Sequence, residues 1–235
     1  MKPALFHGPL KRFGQTLLPA DDPRQMLSVP ELLRPETLDR LLMRVYGPGL
    51  MPSQLPVLVS QWSKYYFMQL IPPVVVAMLV HDWQWSLGLD HAAFALDDRG
   101  VLDGVRFADE DGLAADTSGD PFQRFGPLLE HLQRVIEALS VYGNVAPGVL
   151  WGNVGDYLET CLTDLARVSD AALTDGYALL NERTWPDGSR NLLFNAITYR
   201  ATPEGKCRQR RSCCLSYRVE WVGRCGHCPL GADET

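Results

Sequence analysis

The feature that most constrains this chain lies near its end. Four of its 6 cysteines fall within 16 positions: an adjacent pair, Cys213-Cys214, then ten residues, then Cys225 and Cys228 two residues apart. Four sulfurs so close together suit zinc, an iron–sulfur cluster or two disulfides. Cys225 and Cys228 have the spacing of half a zinc ribbon. Cys213 and Cys214 do not, because neighbouring residues rarely reach one small ion together. A 2Fe-2S cluster is larger and offers two irons, so an adjacent pair can serve it where the backbone bends. On a regular strand the two side chains would point to opposite faces. An irregular, strained backbone is therefore expected at Cys213-Cys214.

The surrounding residues extend this reading. Leu215, Tyr217 and Val219 alternate with Ser216, Arg218 and Glu220, which predicts a half-buried strand. Val222-Gly223-Arg224 can turn the chain back. Gly226 permits a tight turn that aims N–H groups at the sulfurs, and such hydrogen bonds raise a cluster's potential. Residues 200–228 hold Arg200, Lys206, Arg208, Arg210, Arg211, Arg218 and Arg224 against Glu204 and Glu220, a balance of +5 in a chain of net charge −6, so the remainder carries −11. A basic tail on an acidic body gives two readings, a solvated surface of local ion pairs or a positive field around a redox centre.

The other 199 or so residues need no disulfide frame. A chain of 235 residues buries a sizeable core, and 46% hydrophobic with 21% charged residues is ordinary for a globular protein. The net negative charge argues against a nucleic-acid binder. No continuous apolar stretch marks a secretory signal at the N-terminus. The longest apolar run, Leu70 to Val80, holds two prolines in eleven residues and is too short for a bilayer. A cytoplasmic location is expected, where clustered cysteines more often serve metal or redox chemistry than disulfides.

Periodicity predicts a mostly helical chain. Leu38, Leu41, Leu42 and Val45 share one helical face before Gly47. Gln54 to Val80 reads as helix, with a break or kink at Pro72-Pro73. Two β-compatible runs flank a turn at Asp97-Asp98-Arg99-Gly100. Pro121 to Tyr142 carries a broad apolar stripe, another helix is expected from about Asn153, and a short one between Asp170 and Leu180. The first 28 residues or so and "NERTWPDGSRN" (residues 181–191) read as irregular. The expected fold is α+β: a predominantly helical body with a small antiparallel sheet (residues 1–199) and an irregular C-terminal iron–sulfur segment (residues 200–235). No phosphate-cradling glycine motif, flavin motif or nicotinamide motif is visible.

The tail "RRSCCLSYR" followed by "CGHCPL" resembles the C-terminus of ferric siderophore reductases of the FhuF type. "VLWGNVGDYLE" (Val149 to Glu159) is similar to a Leu-Trp-Gly-Asn segment of the same family and of related siderophore-biosynthesis proteins. The resemblance implies a 2Fe-2S cluster ligated by Cys213, Cys214, Cys225 and Cys228. It implies one-electron reduction of a ferric siderophore in the bacterial cytoplasm, releasing Fe(II). The reducing electron would come from a separate donor of ferredoxin or reduced-flavin type. No transmembrane segment is implied, which leaves room for transient association with the inner membrane. Arg208, Arg210, Arg211, Arg218 and Arg224 would dock the substrate or donor, and Gly226 and His227 would tune the cluster. His227 stands where the family often has Asp.

Other chemistry-bearing residues have plainer readings. Cys161 lies on an apolar helix face and reads as core; Cys207 reads as a free thiol outside the matched spacing. His81 and His91 read as structural. Trp62, Tyr65, Trp83 and Trp85 suit a core more than a ligand platform. Trp151 and Asn153 are expected to fix the start of a helix. An iron–sulfur carrier or redox sensor without turnover, and a binding module with a structural zinc tail, are the competing functional classes.

Overall fold

The computed structural model describes residues 5–109, 112–114, 119–203 and 205–230. Glu204, counted above in the tail's charge, lies outside them. The fold is α+β, as the periodicity predicts. It is built around one long helix, α3 (Leu55–His81), which is buried from Val57 to Leu79 over most of its surface. A helix that is apolar all round must be covered all round. Here the cover comes from α2 (Pro35–Tyr46), α5 (Gly126–Gly143), α6 (Pro147–Leu165) and a small sheet. By length and composition α3 could also cross a bilayer, unlike the eleven-residue run read from the sequence, but 72% of its most apolar window is buried inside the protein.

The sheet has the order β1-β3-β4, all antiparallel, from β1 (Met26–Ser28), β3 (Ala92–Leu96) and β4 (Leu102–Phe107). β3 and β4 form the expected hairpin. The Asp97 carboxylate accepts from the N–H groups of Arg99 (2.9 Å) and Val101 (2.8 Å), and Gly100 takes the left-handed conformation the turn needs. β2 (Trp83–Gln84) pairs with β5 (Leu113–Ala114). Short helix α1 (Val29–Leu32) starts from a capping box between Ser28 and Glu31. The apolar stripe at 121–142 is split into α4 (Pro121–Arg124) and α5, and α7 (Thr174–Asn181) falls within the predicted short helix. Strands β6 (Ile197–Thr202) and β7 (Gly205–Arg210) form an exposed two-stranded ribbon that leads into the cysteine segment.

Three sequence expectations are overturned in whole or in part, for physical reasons. The break allowed for at Pro72-Pro73 does not occur: α3 continues as one helix to His81. A proline at 73 cannot donate to the Gln69 carbonyl, four residues back, and Thr16 Oγ1 donates to that carbonyl instead at 2.8 Å. α6 begins at Pro147, a favoured first-turn proline, so Trp151 and Asn153 lie within the helix and do not start it. The spacer 215–224 is not a strand. Ser216–Arg218 form a 3-10 turn, and Ser216 and Val219 are buried three residues apart, a spacing that follows the turn.

Candidate metal centre

The cysteine segment is fastened to the body by polar residues buried between α3 and α6. Asn153, Asp156 and Glu159 recur at three-residue steps along one side of α6. Asn153, fully buried, donates through Nδ2 to the Ser60 carbonyl (2.9 Å) and to Ser63 Oγ (3.0 Å) of α3. Its Oδ1 accepts from Arg210 Nη2. Arg210 also reaches Asp156 Oδ2 at 3.2 Å, with its side chain only 1% exposed. Arg208 binds the other oxygen of Asp156 (2.6 Å) and Glu159 Oε2 (2.7 Å). Gly152 lets the segment pass close over α6, where a Cβ would displace Ser212 Oγ.

α3 then fixes the adjacent cysteine pair. Ser60 Oγ and Gln61 Nε2 each donate to the Cys214 carbonyl at 2.9 Å. The backbone is irregular here, as expected. Leu215 takes a left-handed φ of 65°, unfavourable for a residue with a Cβ, immediately after the cysteines. This bend aims N–H groups at sulfur: Leu215 N–H donates to Cys213 Sγ (3.3 Å), and the Ser216 backbone donates to Cys214.

The second pair is moored by β7. Arg210 N–H donates to the His227 carbonyl (2.9 Å), Gln209 Nε2 to the Cys228 carbonyl (3.3 Å), and Arg208 Nη1 to His227 Nδ1 (3.0 Å). The last contact puts the neutral imidazole's proton on Nε2. Residues 225–228 close a turn, Cys228 N–H to Cys225 carbonyl, 3.1 Å, and the His227 N–H donates to Cys225 sulfur. Cys214 and Cys225 act on each other: the neighbouring Cys225 thiol, Lys64 and the Ser216 donors pull Cys214 below the ordinary thiol range, while Cys214 and burial push Cys225 up. Cys213 is pushed up by burial and feels Cys214 and Cys228 nearby.

This donor set fits a 2Fe-2S cluster. Such a cluster takes four thiolates, two per iron, and N–H groups on the sulfurs hold their negative charge. Three of the four sulfurs have such a donor. Among the described residues no three Cys, His, Asp or Glu side chains, the four cysteines included, are gathered closely enough to hold a metal ion. Cys213, Cys225 and Cys228 are half-buried near the protein surface, and Cys214 is buried beneath them.

The predicted docking arginines divide. Arg208 and Arg210 are not available to a partner, because their guanidinium groups are committed to Asp156, Glu159 and Asn153. Arg210 instead acts on the sulfurs by its field, favouring charge on Cys213 and Cys225. Arg211, Arg218 and Arg224 are exposed, with Arg211 Nη1 donating to the Phe194 carbonyl. Gly226 and His227 are exposed on the Cys225–Cys228 turn.

Cys161 is buried, and burial pushes it up to about 12. Cys207 is exposed on β7, on the face opposite Arg208. His81 bonds the Leu5 carbonyl, and His91 contacts Ser86 Oγ. Trp62 and Trp85 are core; Trp83 and Tyr65 are half-buried. The sequence reading missed Ser60, Gln61, Ser63, Asp156 and Glu159. Their available signal was polar residues interrupting the apolar faces of two long helices.

Two segments of the chain match known families. Residues 60–208 match the family model described as "Ferric iron reductase FhuF-like transporter", and residues 210–230 match "FhuF 2Fe-2S C-terminal domain". A curated "Ferric siderophore reductase" of Escherichia coli (strain K12) is 27% identical over 178 residues, covering 74% of this chain and 65% of that protein's length.

Proposed function

Since this chain belongs to the FhuF family and carries its 2Fe-2S C-terminal domain, we propose that it reduces ferric siderophores in the cytoplasm, one electron at a time. The observation that carries the reading is the four-cysteine set, three of its members half-exposed, with N–H groups aimed at the sulfurs. Cys213, Cys214, Cys225 and Cys228 would hold the cluster, which supplies one-electron redox chemistry when bound. Residues 200–235 would then be the redox segment and residues 1–199 the body that docks its partners.

The chain's own residues have definable tasks. The N–H groups of Leu215, Ser216 and His227 steady negative charge on sulfur. Arg210 adds a fixed positive charge that cannot swing away. The Ser60–Gln61–Asn153 network holds the Cys214 backbone, so little reorganises when charge changes. The substrate is Fe(III) bound by hard oxygen ligands. One electron converts it to Fe(II), which the same oxygens bind poorly, and the metal is released. A separate donor of ferredoxin or reduced-flavin type supplies that electron, attracted by the exposed Arg211, Arg218 and Arg224.

The test is a single turnover under anaerobic conditions. The reduced protein, freed of excess reductant, is mixed with a ferric siderophore and an Fe(II)-specific colorimetric chelator. About one Fe(II) per protein is expected, with matching reoxidation of the visible spectrum. A colourless, zinc-containing protein, or a coloured one that yields no Fe(II), overturns the reading.

A further inference from the structure

One side of the cysteine segment opens into a cleft of about 250 Å³ lined by Tyr46, Gln61, Lys64, Tyr65, Met68, Tyr157, Trp221 and Val222. Three observations set it apart. First, its floor is one side chain away from a proposed ligand: Lys64 Nζ donates to Gln61 Oε1 (2.8 Å), and Gln61 Nε2 donates to the Cys214 carbonyl (2.9 Å). Lys64 and Tyr157 both interact electrostatically with Cys214. Second, Trp221 is 63% exposed, a large aromatic left in water, with its ring 6.2 Å from that of Tyr46. Third, Tyr46, one of the lining residues, has its Oη buried without a hydrogen-bond partner among the described residues.

We propose that this cleft is where the ferric chelate docks, one ligand arm lying against Trp221 and Tyr65 and the iron's oxygen donors facing Lys64. The inference rests on the reductase reading above. The oxygen donors of hydroxamate, catecholate and carboxylate chelates all carry negative charge, so the Lys64 ammonium recognises the face that holds the iron, whatever the net charge. No carboxylate lines the cleft to oppose it. A flat arm suits an aromatic wall. The volume is below that of pockets that enclose a drug-sized ligand, so the chelate stays partly in water and Fe(II) has an open way out.

A larger cavity, about 650 Å³ between α4, α5, the start of α6 and residues 185–192, is walled by Trp151, Trp185 and Phe122. No residue of the 210–230 segment lines it. Electron transfer falls steeply with distance, which favours the smaller cleft.

The experiment is calorimetric titration of the cluster-loaded protein with the redox-inert gallium(III) complexes of a trihydroxamate and a tricatecholate, beside single-turnover reduction of the corresponding iron complexes. Trp221→Ala and Lys64→Gln should each weaken gallium-chelate binding at least about tenfold and raise the half-saturating iron-chelate concentration to match, with the visible spectrum unchanged; tenfold corresponds to about 1.4 kcal/mol. Trp185→Ala should leave both unchanged. Unchanged binding in Trp221→Ala and Lys64→Gln while the wild type binds and reduces, or loss in Trp185→Ala alone, overturns the cleft and spares the reductase reading. A wild type that neither binds nor reduces overturns both.

Discussion

Asp156→Asn tests whether buried charge holds the cysteine segment in place. The substitution keeps shape and removes the counter-ion of Arg210, whose side chain is 1% exposed. Arg210 would keep only the neutral Asn153 Oδ1, and its Nε already lacks a partner. Removing one member of a buried ion pair costs about 3–5 kcal/mol. Asp156 is itself 20% exposed, so water can partly replace it, and the lower end, about 3 kcal/mol, is expected. That lowers the folded-to-unfolded ratio more than a hundredfold at about 1.4 kcal/mol per decade. Urea unfolding followed by tryptophan fluorescence measures it, and bleaching by an iron chelator reports the segment, which should lose iron faster. Arg210→Met is the contrast. It leaves Asp156 paired with Arg208 at 2.6 Å and fills the space with apolar atoms, so it should cost much less. A double variant should recover part of the loss. Asp156→Asn within about 0.5 kcal/mol of wild type, or Arg210→Met equally damaging, would refute the reasoning.

Further outcomes follow from the same geometry. Serine at any one of Cys213, Cys214, Cys225 or Cys228 should abolish or strongly alter the visible spectrum, whereas Cys161→Ser and Cys207→Ser should leave it intact; bleaching in Cys207→Ser alone would reassign the ligands. Gly152→Ala sets a Cβ against Ser212 Oγ and should destabilise by about 1–3 kcal/mol in urea melts, with faster iron loss than Gly148→Ala, whose Cβ meets open space. His131, buried between Tyr66 Oη (2.6 Å) and the Leu87 carbonyl (2.7 Å), is held below its ordinary 6.5 by burial, and Arg134 adds to the effect. The unfolded chain therefore binds the proton more readily. Stability present above pH 6.5 should fall as pH drops through the folded value, and His131→Gln should flatten urea midpoints measured between pH 7.5 and 5.

Much of the helical body is legible because local pattern and burial coincide. Leu38, Leu41 and Leu42 of α2 and the stripe from Phe125 to Leu139 are buried as their spacing predicts. The hairpin at Asp97–Gly100 follows from turn chemistry that needs no distant partner. Failures occur where a distant residue decides. Nothing near Pro72-Pro73 tells that Thr16 will satisfy the Gln69 carbonyl. The alternation Leu215, Tyr217, Val219 is overridden because Ser60 and Gln61 seize the Cys214 carbonyl and the chain bends at Leu215. The cysteine positions are visible as a pattern, and Asn153, Arg208 and Arg210 stand out singly, but the network that joins them to Ser60, Gln61, Asp156 and Glu159 is not visible, because its members are brought together only by the packing of α3, α6 and β7.

That network also changes what the basic tail is for. The segment from 210 to 230 buries few apolar side chains, chiefly Cys214 and Val219, so hydrophobic burial cannot set its position closely. Directional bonds can. A buried ion pair roughly offsets its own desolvation, so its effect is more on geometry than on net stability. Arg208 and Arg210, spent on Asp156 and Glu159, thus register β7 against α6 and carry the Cys225–Cys228 turn with them through the His227 carbonyl and ring. Their charge is the part of the tail that salt should screen least, because it is enclosed. The charge left for encounter is the exposed Arg211, Arg218 and Arg224, together with Lys64 from α3 in the cleft beside Cys214. Salt should therefore slow the approach of donor or chelate while leaving the sulfurs' own environment almost unchanged.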